Sequence, residues 1–191
     1  VIAGPSGSGK TTLLNLLGTL DVPTEGSIFL EGKDMKEKSR SELSEISLKK
    51  MGFVFQAYNL IPVLTALENV EFPMMLRGIP AKERHDKAFS VMEDLGIGEL
   101  ADKRPNQMSG GQQQRVAVAR AIANDPVIVL ADEPTANLDS KSGENLLSIM
   151  REMNEKKNIT FVFSSHDKQV IEQSKRLIML KDGKISENKE Q

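Results

Sequence analysis

The chain has 191 residues, 39% hydrophobic and 27% charged, with a formal net charge of −2 and no cysteine. The length suits one domain with a sizeable core. The near-neutral charge excludes a protein whose chief task is electrostatic coating of nucleic acid, and the missing cysteines exclude disulfides and thiolate metal sites. The longest apolar runs, such as Val127 to Ala131, fall far short of the roughly 20 residues that cross a bilayer.

The first element is an apolar strand, Val1-Ile2-Ala3, that is already under way at the first residue. A strand usually has about 5–6 residues, so the expectation is a fragment lacking one or more upstream strands. Next comes Gly4-Pro5-Ser6-Gly7-Ser8-Gly9-Lys10-Thr11, which fits G-x-x-x-x-G-K-[ST]. Glycines there let successive N–H groups turn inward around phosphate oxygens. A helix beginning near Lys10, with Leu13, Leu16, Leu17 and Leu20 at helical spacing, adds its positive dipole end. Lys10 is placed to reach the β- and γ-phosphates, and the Thr11 hydroxyl to ligate Mg²⁺. Thr12 is assigned to the same nucleotide contacts. ATP with Mg²⁺ is the expected ligand.

Ser27 to Leu30 reads as a short strand, Ser41 to Lys50 as a helix and Gly52 to Phe55 as a strand. From Thr65 to Leu100 the pattern is helical, broken at Gly78-Ile79-Pro80 and Gly96-Ile97-Gly98. Met108-Ser109-Gly110-Gly111-Gln112 then opens a helix reaching Ala123. Ser109 and Gln112 have capping-box spacing. Two glycines in a first turn cost about 1 kcal/mol each against alanine, which makes sense where backbone must approach a ligand closely. Such a helix start is a second phosphate site.

Val127 to Ala131 is a continuous apolar run, as in a strand buried on both faces of a parallel sheet. It ends in Asp132 and Glu133. Ligands of open α/β sheets sit outside the carboxyl ends of strands. There Asp132 can hold Mg²⁺, directly or through water, and Glu133 can polarise or deprotonate the attacking water. Ser140 to Glu155 reads as a helix, Ile159 to Phe163 as a second buried strand, and Arg176 to Ile185 as a closing hairpin. Strands alternate with helices at both ends of the chain. This predicts an α/β core of approximately 1–56 and 124–191, with an inserted helical subdomain of approximately 57–123.

With these motifs in this order, the chain resembles the ATP-binding subunits of ABC transporters over essentially its whole length. Residues 108–112 look like that family's LSGGQ signature, with Met108 in place of the usual Leu. The resemblance implies a P-loop NTPase (RecA-like) parallel-sheet fold and Mg²⁺-dependent ATP hydrolysis. It also implies a head-to-tail dimer in which Ser109, Gly110, Gly111 and Gln112 bind the γ-phosphate in trans. Gln56 matches the glutamine that senses Mg²⁺ and the attacking water. His166 matches the switch histidine that contacts the γ-phosphate and positions the catalytic carboxylate. Asn137-Leu138-Asp139 matches the loop that crosses the dimer interface, although Asp139 also suits the N-cap of the next helix. Asn59 to Pro62, Leu64 to Val70 and Asp21 to Gly26 resemble the lipoprotein-release and macrolide-export branch.

In that branch a membrane permease is the partner, at the cytoplasmic face of the cell membrane. Leu60, Met74, Met75 and Leu76 are then candidates for its contact, with core packing as their other fate. No nucleic acid partner is expected. The family's adenine-stacking aromatic has no counterpart before Val1, which puts base recognition in doubt. Two alternatives stay open. A soluble ABC ATPase acting on DNA is disfavoured, because Gln56 to Ser109 spans only 109 − 56 = 53 positions without sustained heptads, and one acting on ribosomes because such relatives usually have two such domains in tandem. A truncated module with little turnover is the other.

Overall fold

Apolar runs without alternation form the middle of a parallel sheet here. The computed structural model describes residues 1–190, with backbone only at Gln169. In chain order its first elements are β1 (Ile2–Ala3), α1 (Lys10–Leu17), β2 (Phe29–Leu30), β3 (Lys33–Asp34), α2 (Arg40–Lys50) and β4 (Met51–Val54). The helices α3 (Ala66–Leu76), α4 (Ala81–Asp94) and α5 (Gly110–Ile122) follow. The chain then runs through β5 (Ile128–Asp132), α6 (Ser140–Lys157), β6 (Thr160–Ser165), α7 (Lys168–Glu172), β7 (Arg176–Lys181) and β8 (Lys184–Glu190).

The six-stranded sheet has the order β4-β5-β6-β1-β7-β8. All neighbouring pairs are parallel except β7 and β8, which form an antiparallel hairpin. Register places Ala3 beside Ser165 and Asp132 beside Ser164. The carboxyl ends of β1, β5 and β6 therefore meet at one sheet edge. The strand expected at Ser27–Leu30 is only Phe29–Leu30 and pairs with β3 in a separate two-stranded sheet. The short α7 has no periodicity long enough to read from sequence.

Each sheet face buries a different cluster. On one face Leu14 of α1 packs with Ile2, Leu130 and Leu180, flanked by Leu13, Leu17 and Phe53. The other cluster joins Val54, Val129 and Ala131 to α5, α6 and the packed helices α3 and α4, with Met74, Met92 and Leu95 at its centre. Capping boxes open α2 (Ser39 with Glu42), α3 (Thr65 with Glu68) and α5 (Ser109 with Gln112). Met74 is fully buried, so it is no surface contact, whereas Met75 and Leu76 are 46% and 56% exposed. No helix among the described residues is long and apolar enough to cross a membrane.

Candidate functional site

Gly9 caps α1 with φ +97°, a left-handed conformation that glycine alone adopts without strain. The phosphate loop thereby turns into the helix, with Ser8 N–H donating to Pro5 O at 3.2 Å across it. Lys10 is buried, and its ammonium donates to the carbonyls of Gly4 (2.9 Å) and Pro5 (3.1 Å). Glu133 Oε1 lies 3.9 Å from the same Nζ. Ser8 Oγ is buried without a partner among the described residues, an orphaned donor inside the loop. From behind, Gly183 N–H donates to Ser8 O at 3.1 Å, so the β7–β8 turn braces the loop.

Thr11 Oγ1 donates to Asp132 Oδ2 at 2.9 Å, and Ser164 Oγ donates to Asp132 Oδ1. Two hydroxyls thus fix the carboxylate at the end of β5. Glu133, one residue on, takes φ +45°, a left-handed backbone costing a non-glycine residue roughly 1–2 kcal/mol. Its N–H donates to Ser164 O at 3.0 Å. Its side chain meets His166 Nδ1 at 2.8 Å through Oε1 and accepts from Ser165 Oγ at 3.3 Å through Oε2. A hydrogen bond to the Glu133 carboxylate requires the hydrogen on Nδ1, and Nε2 is left facing away from it. The rest of the His166 side chain is exposed. The structure thus gathers Lys10, Thr11, Asp132, Glu133 and His166 at one edge. Sequence reasoning missed Ser164 and Ser165. Their signal was a polar pair ending an apolar strand at that edge.

Gln56 follows β4, and its carbonyl accepts from Asn137 Nδ2 at 2.8 Å. Ser109 caps α5, accepting from Gln112 N–H, while Gln112 Oε1 accepts from Ser109 N–H at 2.9 Å. These signature residues open on a different cavity of about 230 Å³, shared with Glu99, Arg115, Leu138 and Ser142. No residue of Gly4–Thr12 lines it. Asp139 is the N-cap of α6, accepting from Ser142 N–H (3.0 Å) and Ser142 Oγ (2.6 Å). The Ser142 hydroxyl, with its N–H, holds the Asp139 carboxyl below its ordinary pKa. The other histidine, His85, is exposed and meets Glu71 at 3.2 Å, away from these groups.

The family model described as ABC transporter matches residues 1–136. An ABC transporter ATP-binding protein of Thermotoga maritima is 50% identical over 185 residues, 97% of this chain and 79% of that protein. The lipoprotein-releasing system ATP-binding protein LolD of Aquifex aeolicus is 47% identical, over 96% of this chain and 82% of its own. The macrolide export ATP-binding/permease protein MacB of Aggregatibacter actinomycetemcomitans is 47% identical across 96% of this chain, which covers 28% of that longer protein. Among solved structures, the dimeric cassette MJ0796 of Methanocaldococcus jannaschii superposes with a TM-score of 0.91 at 45% identity, covering 99% of this chain and 83% of its own. A second structure of that cassette is a post-hydrolysis state bound to ADP and Pi, with the same score. The chain therefore belongs to the ABC transporter family, as one of its ATP-binding ATPase subunits.

Proposed function

We propose that two copies of this chain pair head to tail, each ATP being held between Gly4–Thr12 of one copy and Ser109–Gln112 of the other. The observation that carries this is the separation within one chain. The charged and hydroxyl groups gather at the sheet edge, while the signature opens on its own cavity. Completing one site with both therefore takes a second chain. That MJ0796 is described as a dimer, in one structure with ADP and Pi, supports the pairing.

Each residue then has a role that follows from its chemistry. Lys10 exchanges its two carbonyl acceptors for phosphate oxygens and offsets their charge. The orphaned Ser8 hydroxyl adds a donor, and backbone N–H groups of such a loop supply more. Thr11 and Asp132, already 2.9 Å apart, are an oxygen-only pair suited to Mg²⁺. No cluster of three or more His, Cys, Asp or Glu exists among the described residues. Mg²⁺ accepts that, since it completes its shell with water and phosphate oxygens, and Gln56 is the third protein group assigned to it. Bound there, the ion would supply positive charge to neutralise the negative charge developing on the phosphate oxygens. Glu133 accepts a proton from the attacking water, and His166 orients the Glu133 carboxylate while presenting its other nitrogen to the γ-phosphate.

ATP-driven closure and hydrolysis-driven opening would be converted into substrate movement by a permease at the cytoplasmic face of the membrane. The LolD and MacB relatives support that partner, and MacB carries ATP-binding and permease parts under one name. The exposed Met75 and Leu76 and the partly buried Leu60 remain the proposed contact.

Steady-state ATPase assays with Glu133→Gln test the site. General-base loss typically costs about 10²–10⁴ in rate, so turnover should fall by that order while ATP affinity and ATP-dependent pairing in light scattering persist. Wild-type turnover in the variant would remove Glu133 as the base.

A further inference from the structure

The turn after Gln56 is strained. Tyr58 and Asn59 have φ +61° and +49°, consecutive left-handed residues that are not glycine. Short-range bonds tighten it, Tyr58 N–H to Phe55 O at 3.0 Å and Asn59 N–H to Ala57 O at 2.6 Å. Both outer carbonyls then point to α5. The Arg120 guanidinium donates Nη1–H to Asn59 O at 2.5 Å and Nη2–H to Tyr58 O at 2.8 Å.

Arg120 lies in the last turn of α5, where any cation suits the helix dipole, but that position alone calls for no fork onto two carbonyls. Its neighbours Val116, Ala117, Ala119 and Ala121 are buried and apolar, and Arg120 itself is half-buried beside them. No acidic side chain pairs with it among the described residues. Burial pulls its pKa below the ordinary arginine value, a sign that the charge is held at a desolvation cost. A glycine at position 58 or 59 would relieve the turn without any cation. Instead the chain grips this segment from several sides. Asn137 Nδ2 holds Gln56 O at 2.8 Å, and Tyr58 Oη lies 2.9 Å from where a Cβ on Gly110 would stand.

We infer that Arg120 is a positioning residue for ATP hydrolysis: its two-carbonyl clamp fixes the turn that carries Gln56 and ties it to the signature helix. This rests on the role proposed for Gln56. The fork matters as well as the charge, because a lysine ammonium cannot span two carbonyls in one plane.

The test measures kcat and KM for ATP, equilibrium ATP affinity and thermal stability for Arg120→Lys and Arg120→Ala, alone and combined with Gln56→Ala. A misplaced catalytic group costs up to about 10²-fold, so kcat should fall at least about tenfold in Arg120→Lys while affinity and KM move less than about threefold. Groups acting through one another are non-additive, so Arg120→Lys with Gln56→Ala should be no slower than Gln56→Ala alone. Wild-type kcat in Arg120→Lys, or losses that multiply in the double variant, would overturn the assignment. So would failure of Arg120→Lys to fold, which would make the residue structural. Should Arg120→Ala alone fail to fold, Arg120→Lys decides. Failure of the underlying reading has a separate signature, a wild-type chain whose turnover does not depend on Glu133 or Gln56.

Discussion

Asp139 shows how much of one residue the sequence can carry. Its spacing before a helical pattern suited both an N-cap and an interface loop, and the structure shows the cap. Because hydrogen bonds from Ser142 hold its folded-state pKa below the ordinary value, the sign follows. The carboxylate's stabilisation is fully present above the ordinary carboxylate range and is lost as pH falls through the depressed folded value. Thermal melts of wild type and Asp139→Asn as a function of pH should therefore differ at neutral pH, remain apart through the ordinary carboxylate range, and converge only below it. Convergence at higher pH would mean that the bonds to Ser142 do not favour the charged form. Glu133 is the opposite case. Its place after an apolar run was legible and the family resemblance supplied His166, but its left-handed backbone and its partner Ser165 were not legible. These depend on β6 lying beside β5, a long-range pairing that no local pattern states.

Elements were legible where a local signal had a local cause. The box Ser109–Gln112 starts α5 as its spacing predicts, and the breaks at Gly78 and Gly96 separate α3 from α4 and end α4. Helix α2 begins at Arg40, a residue earlier than its pattern, because Ser39 and Glu42 form a box that the surrounding polar residues conceal. The segment before α3 has a rivet invisible in sequence. Asn69 is fully buried, accepts from Ile61 N–H at 2.7 Å, and donates toward the carbonyls of Ile61, Leu64 and Thr65. Its removal strands buried backbone groups, each worth about 1–3 kcal/mol. Asn69→Ala should lower unfolding free energy by about that amount in denaturant titration, with hydrogen exchange accelerated first at 61–65. An unchanged midpoint would show that water replaces the amide without loss.

At the scale of the whole molecule, the motif order made the α/β class readable, because each motif sits at a strand end or a helix start. Strand order β4-β5-β6-β1-β7-β8 was not readable, since β1 lies between two strands from the far end of the chain. A site divided between copies gives a complementation experiment. Lys10→Ala disables the phosphate loop and Ser109→Arg the signature, so neither variant should turn over ATP alone. Mixed in equal amounts, half the pairs should be heterodimers with one intact site of two, recovering about a quarter of wild-type turnover. No recovery would place both halves of the site in one chain. Strand β8 adds a consequence for how copies meet. All seven of its residues are exposed, Lys184, Glu187, Lys189 and Glu190 among them, and its ladder with β7 carries a bulge at Met179/Leu180. Alternating charges and bulges make a border strand a poor template for edge-to-edge addition and fibril growth. Among the described residues, that flank of the sheet is a charged ladder on which a second copy gains little by pairing.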